Sequence, residues 1–508
     1  MLTIRAICLV LLTSLVYGCA THLPQHEMPH SFVLPVLKDA PLVRYLNDRL
    51  VAPEVWSAFN PLYEGKDALA ARLYLIDQAR SGIDLQTYIY AGDTTGQLIA
   101  AHLLQAADRG VRVRLLVDDV GSGLSDIKIT SLDWHPNIEV RLFNPLQLRT
   151  FRLLSKVGEF GRINHRMHNK LLVADGVAMI TGGRNIGDEY FALSPMDFQD
   201  IDIIGLGPIA RDAGGSFDLF WNHDLSQPVS KILRRSDDKA LAKLRRELVS
   251  VRRQAARGPL MEAVADSNFI QALQDNRLAW YQGPAEWLFD PPAKADTHSE
   301  LSGEPFLTRS LARHTAALDS ELLIMSAYFI PGEQGQAAFE RLLERGVNVS
   351  ILTNSLASTD VLAVHSGYAP YRKPLLESGI ELWELRPLAA QHERVNTFVG
   401  DSLASLHAKK LIFDRQSVFI GSLNLDPRSV NLNTEAGVLV EHAALAEYMS
   451  SLFVRWTDDD YAWRVVLDEQ GELQWLADGK AWSREPDSSP ARRFMTWLVS
   501  WLPIESQL

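Results

Sequence analysis

"HNKLLVADG" (168–176) is a run of apolar residues that carries a histidine and a lysine two residues apart and ends in an Asp-Gly turn. "HAKKLIFDR" (407–415) repeats the pattern 239 residues later. The shared residues are His168, Lys170 and Asp175 in the first stretch and His407, Lys409 and Asp414 in the second. Side chains two residues apart on a strand point to the same face. Each stretch therefore predicts a histidine and a lysine side by side, with the aspartate near a hairpin turn.

The surroundings of the two stretches also repeat. In each half of the chain a helix that ends in Arg-Gly precedes a strand, at "GQLIAAHLLQAADRG" (96–110) with "VRVRLLVDD" (111–119) and at "QGQAAFERLLERG" (334–346) with "VNVSILTNS" (347–355). The Arg-Gly helix ends are 236 residues apart, close to the histidine spacing. Two periodic signals that agree indicate a duplicated unit, and alternating strands and helices place it in the α/β class. We expect two α/β lobes, related by pseudo-two-fold symmetry, that share one active-site cleft.

An imidazole beside an ammonium group is suited to chemistry on a phosphate. The lysine neutralises the phosphate oxygens, and a histidine can act as nucleophile or proton donor because its pKa lies near neutrality. Two such pairs that face one another would supply both a nucleophile and a general acid. We expect no metal ion and no other cofactor, since two lysines neutralise the charge. One match to the pattern would fit an ordinary surface strand, but two matches at equivalent places of a repeat indicate catalysis.

The duplicated His-x-Lys-x4-Asp motif resembles that of the phospholipase D superfamily, over about residues 60–470. Longer stretches, among them "RMHNKLLVADGVAMITGGRNIGDEYF" (166–191) and "SLHAKKLIFDRQSVFIGSLNLDPRSVNLNTEAG" (405–437), look like bacterial cardiolipin synthases of the C-type branch. This resemblance implies phosphatidyl transfer through a phosphohistidine. The product would be cardiolipin, made from phosphatidylglycerol with phosphatidylethanolamine or a second phosphatidylglycerol as donor.

Two other activities fit the same motif. A periplasmic phospholipase D would pass the phosphatidyl group to water and release phosphatidic acid. A nuclease is a more remote alternative, which the net charge of −12 disfavours because nucleic-acid binders are usually basic. The expected partners are therefore phospholipids and a membrane surface, with no nucleic acid, and the oligomeric state stays open.

The resemblance also implies roles for individual residues. His168 would attack the phosphorus and His407 would be the general acid, with Lys170 and Lys409 on the phosphoryl oxygens. Asn185 and Asn424 would donate further hydrogen bonds to the phosphate. Asp200 and Glu435 follow the histidines of their own lobes by 32 and 28 residues. Each would accept from the imidazole of that histidine and fix its tautomer. The motif aspartates, Asp175 and Asp414, are expected to brace the turn rather than to touch substrate.

Some smaller features leave two alternatives each. Gly182, Gly183, Gly421 and Ser422 would allow a close backbone approach or tight packing of strand ends. His365 shares a helical face with Tyr368 and Arg372, so it would reach a lipid head group or be a buried structural histidine.

Both ends of the chain suggest a membrane environment. "MLTIRAICLVLLTSLVYGC" (1–19) has one arginine, an apolar run and a small residue before Cys19. That is a secretory signal pattern, and it resembles a lipoprotein signal, so residues 1–18 would be removed and Cys19 would carry lipid. "RRFMTWLVSWLP" (492–503) suits an interfacial helix or a helix docked on the second lobe. The predicted location is the periplasmic side of the inner or outer membrane.

At 508 residues the chain is too long for one domain. The predicted segments are a signal (1–18), a polar leader (19–60), an N-terminal lobe (61–228), a basic helical linker (229–284), a C-terminal lobe (285–470) and an amphipathic tail (471–508). The linker helix would be solvated or would face anionic lipid.

Overall fold

Two mixed β-sheets, one in each half of the chain, form the framework of the protein. They are seen in a computed structural model that describes residues 28–147, 159–191, 196–387 and 403–508. The predicted signal (1–18) and Cys19 lie outside the described residues.

The first sheet is built from the first half of the chain. The strands of this half are β1 (Ser57–Leu62), β2 (Gly82–Thr87), β3 (Arg112–Asp118), β4 (Ile138–Phe143), β5 (Leu171–Ala174), β6 (Ala178–Gly182), β7 (Met196–Gln199), β8 (Asp202–Leu206), β9 (Ser226–Pro228) and β10 (Tyr281–Gly283). Its helices are α1 (Pro41–Arg49), α2 (Gly65–Gln78), α3 (Thr94–Asp108), α4 (Asp126–Asp133), α5 (Phe160–Ile163), α6 (Pro208–Trp221), α7 (Val229–Ile232), α8 (Asp238–Ala255), α9 (Pro259–Ala265) and α10 (Asn268–Gln274). The sheet order is β10-β1-β8-β6-β5-β2-β3-β4-β9.

The second sheet follows the same plan. Its half of the chain contains β11 (Ala285–Phe289), β12 (Glu321–Ser326), β13 (Asn348–Asn354), β14 (Glu381–Leu385), β15 (Leu403–Leu406), β16 (Lys409–Phe413), β17 (Ser417–Gly421), β18 (Ala436–Glu441), β19 (Ala462–Leu467), β20 (Leu473–Ala477) and β21 (Lys480–Trp482). The helices are α11 (Phe306–Ala316), α12 (Gly332–Glu344), α13 (Leu362–Tyr368), α14 (Arg372–Ser378), α15 (Pro427–Asn431), α16 (Ala443–Trp456) and α17 (Pro490–Val499). The sheet order is β11-β18-β17-β16-β12-β13-β14-β19-β20-β21. In the part of the chain that the structure describes, no helix has the length and apolar character to span a bilayer.

Eight neighbouring strands of one sheet correspond one to one with eight of the other. β1-β8-β6-β5-β2-β3-β4-β9 matches β11-β18-β17-β16-β12-β13-β14-β19, with β2, β3 and β4 parallel in one sheet and β12, β13 and β14 parallel in the other. The register matches too, since Ile83 pairs with Ala174 and Leu322 pairs with Phe413. The predicted duplicated α/β lobes are confirmed.

The two lobes share one apolar core. Met179 and Ile203 of the first sheet belong to the same buried cluster as Ile420 and Val438 of the second. Each fully buried aliphatic side chain contributes about 1.5–3 kcal/mol, so the cluster holds the lobes face to face. β7 and β15 add a two-stranded parallel sheet that joins the lobes directly. The segment before β16 is thereby brought to the interface, and a bridge between Met167 and Thr434 does the same for the segment before β5.

The sheets extend past the predicted domain boundaries. β1 begins within the predicted leader, β10 lies in the predicted linker, and β20 and β21 lie in the predicted tail. These strands are short, so their sequence period is weak. The linker helix α8 packs on α3 through buried Leu244 and Leu248, and Arg245 forms an ion pair with Asp108 at 2.6 Å.

The motif aspartates brace the turns that lead into β2 and β12. Asp175 Oδ1 accepts from the amides of Ser81 (2.7 Å) and Gly82 (3.1 Å). Asp414 Oδ1 accepts from the amides of Ser320 and Glu321, both at 2.8 Å. Each aspartate follows its motif strand, whereas the histidine precedes it, so the carboxylate lies at the opposite end of the strand. Each aspartate therefore braces a turn, but it is the turn into the neighbouring strand and not the hairpin turn after its own motif strand, where the sequence placed it.

Asp175→Ala is expected to lower the free energy of unfolding by about 2 kcal/mol, because buried amides of the β2 turn lose their acceptor. Asp414→Ala is expected to cost less, since its turn is more exposed. Urea unfolding of the full chain measures both, with Asp212→Ala on the exposed side of α6 as control. An effect of Asp175→Ala no larger than that of the control would contradict the bracing role.

Candidate active site

Both motif histidines lie where the lobes meet. The backbone amide of His168 donates to the carbonyl of Thr434 in the second lobe (2.9 Å), and that of His407 donates to the carbonyl of Gln199 in the first (2.8 Å). Each histidine is thus bonded through its backbone to the opposite lobe. The two motifs form one site and not two separate ones.

The acids that orient the histidines are exchanged between the lobes. Nδ1 of His168 lies 2.9 Å from Oε2 of Glu435, and Nδ1 of His407 lies 2.8 Å from Oδ2 of Asp200. The prediction that each acid pairs with the histidine of its own lobe is therefore wrong. Asp200 lies between β7 and β8, and Glu435 lies directly before β18, so each carboxylate reaches across to the facing lobe.

The residues after β6 and β17 make room for these acids. A Cβ at Gly183 would lie 2.3 Å from Oδ2 of Asp200. The corresponding residue of the second lobe, Ser422, donates from its Oγ to Glu435 instead. At Gly183 and Ser422 the structure shows close approach, and the group that approaches is the orienting acid. At Gly182 and Gly421 a Cβ would meet the backbone of the paired strand, at Asp202 and Ala436, which is tight packing of strand ends.

Burial controls the protonation of the two motif histidines and of the two acids that orient them. It lowers the pKa of His168 to about 4 and that of His407 to about 3, and the neighbouring lysines add to the effect. Burial alone would raise the pKa of Glu435 and Asp200, but the histidines and lysines around them lower both values below the usual range. At neutral pH both carboxylates are ionised and can only accept, so each neutral imidazole carries its proton on Nδ1. The Nε2 lone pair of each histidine is left available.

The motif lysines are buried beside the histidines. Nζ of Lys170 donates to the carbonyl of His168 (2.6 Å), and Nζ of Lys409 donates to that of His407 (2.5 Å). Burial lowers the pKa of Lys170 to about 7 and also lowers that of Lys409. An anion in the site would reverse these shifts, because an opposite charge favours the ammonium form. The site is electrostatically prepared for a phosphate.

The two predicted phosphate-binding asparagines are buried after β6 and β17. Oδ1 of Asn185 accepts from the amide of Ile89 at 3.1 Å, and the carboxamide is also hydrogen-bonded to the side chain of Tyr190. Oδ1 of Asn424 is buried, and no residue that the structure describes donates to it. Their role toward the phosphate stays a prediction.

Aromatic rings that the sequence did not single out enclose the histidines. The ring centroid of Tyr88 lies 5.2 Å from that of His168. Tyr190 and Phe198 lie 5.3 Å and 5.0 Å from His407. These rings exclude water and are a direct cause of the lowered histidine pKa values.

Two further residues that the sequence did not single out, Asp118 and Asn354, position the residue before each histidine. Oδ2 of Asp118 accepts from the amide of Met167 (3.1 Å). Asn354 holds Leu406 from both sides, accepting from its amide and donating to its carbonyl, each at 2.8 Å. Asp118 ends β3 and Asn354 ends β13, at the 236-residue offset of the Arg-Gly helix ends. That offset was the sequence signal by which they could have been found.

His365 is a buried structural histidine, which is one of the two alternatives that the sequence left open. It is 2% exposed, and Nη2 of Arg372 lies 2.7 Å from its Nε2. Arg372 and Tyr368 are both hydrogen-bonded to the buried carboxylate of Glu384. Burial lowers the pKa of His365 well below its ordinary value. A contact of this histidine with a lipid head group is excluded.

Comparison with known proteins identifies the family. The family model described as "Cardiolipin synthase, PLD-like domain" matches residues 73–195 and 314–456, which include both histidine motifs. The chain belongs to the cardiolipin synthase family of phospholipase D-like proteins.

Relatives span most of its length. Cardiolipin synthase C of Escherichia coli K12 is 40% identical, over 88% of this chain and 95% of that protein. A major cardiolipin synthase of Bacillus subtilis 168 is 25% identical, over 82% of this chain and 72% of its own. The crystal structure of phosphatidylserine synthase from Haemophilus influenzae Rd KW20 covers 92% of this chain with a TM-score of 0.57 at 14% identity. That likeness shows a shared fold.

The exchange of acids between the lobes predicts which histidine pKa responds when one acid is replaced. Glu435→Gln removes a charge that raises the pKa of His168, so we expect the pKa of His168 to fall further below 4 while that of His407 stays unchanged. Asp200→Asn is expected to do the reverse. Imidazole NMR of protein with labelled histidine, titrated from pH 8 downward, measures both. A response of the histidine in the same lobe as the substitution would contradict the crossed pairing.

Proposed function

We propose that this chain transfers a phosphatidyl group onto phosphatidylglycerol and so makes cardiolipin. The observation that carries the proposal is the exchange of acids between the lobes, which engages Nδ1 of His168 and His407 and leaves each Nε2 lone pair available at one interface beside two buried lysines. The 40% identity to a protein named cardiolipin synthase C supports phospholipids as the substrates. Phosphatidylethanolamine or a second phosphatidylglycerol is the proposed donor.

In the first step, the Nε2 lone pair of His168 attacks the phosphorus of the donor. The bond from phosphorus to the head-group oxygen breaks, and that oxygen takes a proton from Nε2 of His407. His407 is neutral in the free site, so its proton must be acquired as the anionic phosphodiester enters and stabilises the imidazolium together with Asp200. Glu435 stabilises the positive charge that forms on His168.

In the second step, the phosphatidyl group leaves His168. A hydroxyl of phosphatidylglycerol attacks the phosphorus while His407, now neutral, takes the hydroxyl proton. The phosphorus–nitrogen bond breaks and the lone pair returns to His168. Lys170 and Lys409, with Asn185 and Asn424 as further donors, stabilise the charge on the phosphoryl oxygens in both steps.

Product analysis tests this function. In mixed micelles of phosphatidylethanolamine and labelled phosphatidylglycerol, the purified full chain is expected to form cardiolipin and to release an equal amount of the donor's head group, ethanolamine from the first donor or glycerol from the second. His168→Ala and His407→Ala are expected to lower the rate by roughly a thousandfold or more, and His314→Ala, outside the site, to leave it unchanged. Phosphatidic acid without cardiolipin would mean that water is the acceptor and that the protein is a phospholipase D.

An activated substrate identifies the nucleophile in the same assay. A p-nitrophenyl phosphodiester has a leaving group that needs no general acid. His407→Ala should therefore still form a phosphoryl adduct, on His168, whereas His168→Ala should form none. An adduct on His407 in the His168→Ala protein would reverse the assignment.

We also propose that the protein works at a membrane, as a periplasmic lipoprotein. The support is the signal pattern of residues 1–19. Mass spectrometry of the protein purified from bacterial membranes is expected to find a chain that starts at Cys19 with acyl groups attached, and to lose that species in Cys19→Ser. A chain that retains residues 1–18 would contradict this location.

A further inference from the structure

The C-terminal helix α17 is oriented with its polar side toward the protein. Thr496 is buried on that side, and Arg492 donates from its guanidinium to the carbonyl of Leu356 at 2.7 Å. The helix contacts α13. A surface helix ordinarily buries its apolar side and exposes its polar side, so this orientation is inverted.

The outward side is apolar. Four large side chains of the helix and two from the turn that follows it, which together we call the apolar face, are between 45% and 73% exposed: Phe494, Met495, Trp497 and Leu498, then Trp501 and Leu502. Spacings of three and four residues align them in one stripe. The rings are in contact, with centroids 5.7 Å apart for Phe494 and Trp497 and 5.6 Å apart for Trp497 and Trp501. A clustered apolar patch of this kind marks an interaction site, whereas exposed apolar residues that stand singly do not.

The apolar face is connected to the active site. After α17 the chain returns to Arg428, which donates to the carbonyl of Gln507 (3.2 Å) and to Oδ1 of Asn164 (2.8 Å). Asn164 lies four residues before His168. The charge of Arg428 also acts on the hydroxyl of Tyr88, whose ring packs on His168. The segment that follows the apolar face is thus bonded to both lobes at the approach to the catalytic histidine.

We propose that the apolar face inserts into the interfacial layer of a phospholipid bilayer and holds the active site at the membrane surface. The proposal rests on the proposed function, since both substrates are then bilayer lipids. Tryptophan and phenylalanine on one side of a helix favour the interfacial layer, where such helices lie about 5–10 Å deep. The bonds of Arg492 keep the helix on the second lobe, so only the apolar face enters the bilayer.

Apolar contact, and not attraction between charges, is expected to provide the binding. The chain has a net charge of −12, and the guanidinium of Arg492 is engaged with the second lobe. Insertion should therefore persist in high salt, which screens attraction between a basic surface and anionic lipid.

A fluorophore placed on the apolar face tests insertion directly. The full chain with Cys8→Ser, Cys19→Ser and Leu498→Cys is labelled with an environment-sensitive dye and mixed with vesicles of phosphatidylethanolamine and phosphatidylglycerol. We expect a blue shift that survives 0.5 M salt, about threefold above physiological ionic strength, and quenching by brominated lipid. The matched control carries the dye at Leu219→Cys, an exposed apolar position on α6, and should show neither.

Two results would overturn the proposal. A dye at position 498 that responds to vesicles no more than the dye at position 219 would show that the apolar face stays in water. A blue shift that grows with protein concentration in the absence of vesicles would show that the apolar face is a contact between two copies of the chain.

The rate of cardiolipin formation on vesicles and on dispersed lipids distinguishes a loss of membrane insertion from a loss of catalysis. Trp497→Gln/Trp501→Gln should slow cardiolipin formation on vesicles by about tenfold or more and leave it unchanged on dispersed short-chain lipids. Leu219→Gln/Val454→Gln, two exposed apolar residues on other helices, should change neither. Equal rates for the tryptophan variant and the wild type on vesicles would contradict the proposal. If the wild type makes no cardiolipin from either form of substrate, the proposed function fails, while the fluorophore still decides insertion.

Discussion

Two buried hydrogen bonds between a histidine of one lobe and a carboxylate of the other, His168 with Glu435 and His407 with Asp200, determine most of what this structure can do. An ionised carboxylate away from water is strongly unfavourable unless it is paired and hydrogen-bonded. Neither acid can form the hydrogen bond with its histidine until the two lobes have packed together. Assembly of the active site and packing of the two lobes are therefore a single event, stabilised by the apolar core that both sheets share.

The same burial determines the protonation states of the histidines and lysines. The rings of Tyr88, Tyr190 and Phe198 keep water from the imidazoles, which stay neutral, and the two lysines lose part of their preference for the charged form. A phosphodiester that enters this site supplies the missing negative charge. In the proposed reaction, protonation of one histidine would then be favoured only when substrate is present, and the charge on both lysines would be favoured further.

The sequence alone determined a large part of this picture, because a repeat carries more information than any single motif. The paired His-x-Lys strands and the duplication of the α/β lobe follow from spacing, and the bracing role of Asp175 and Asp414 follows from the family resemblance. The exchange of acids could not be predicted, since a distance along the chain does not say which lobe a side chain faces. Tyr88 was missed because an aromatic residue after a buried strand is common in any core. Asp118 and Asn354 share a repeat offset, but only the structure shows that each holds the residue before a histidine.

The exchange of acids has a consequence for how such a chain could arise. A single lobe on its own would hold a histidine and a lysine without the acid that orients the imidazole, and an acid without its histidine. Two identical lobes placed face to face about a two-fold axis would complete both pairs at once. An ancestor of half this length would thus have been active only as a homodimer. Fusion of two gene copies would preserve that arrangement and free the halves to diverge, as Gly183 and Ser422, or Asp118 and Asn354, now differ at equivalent positions.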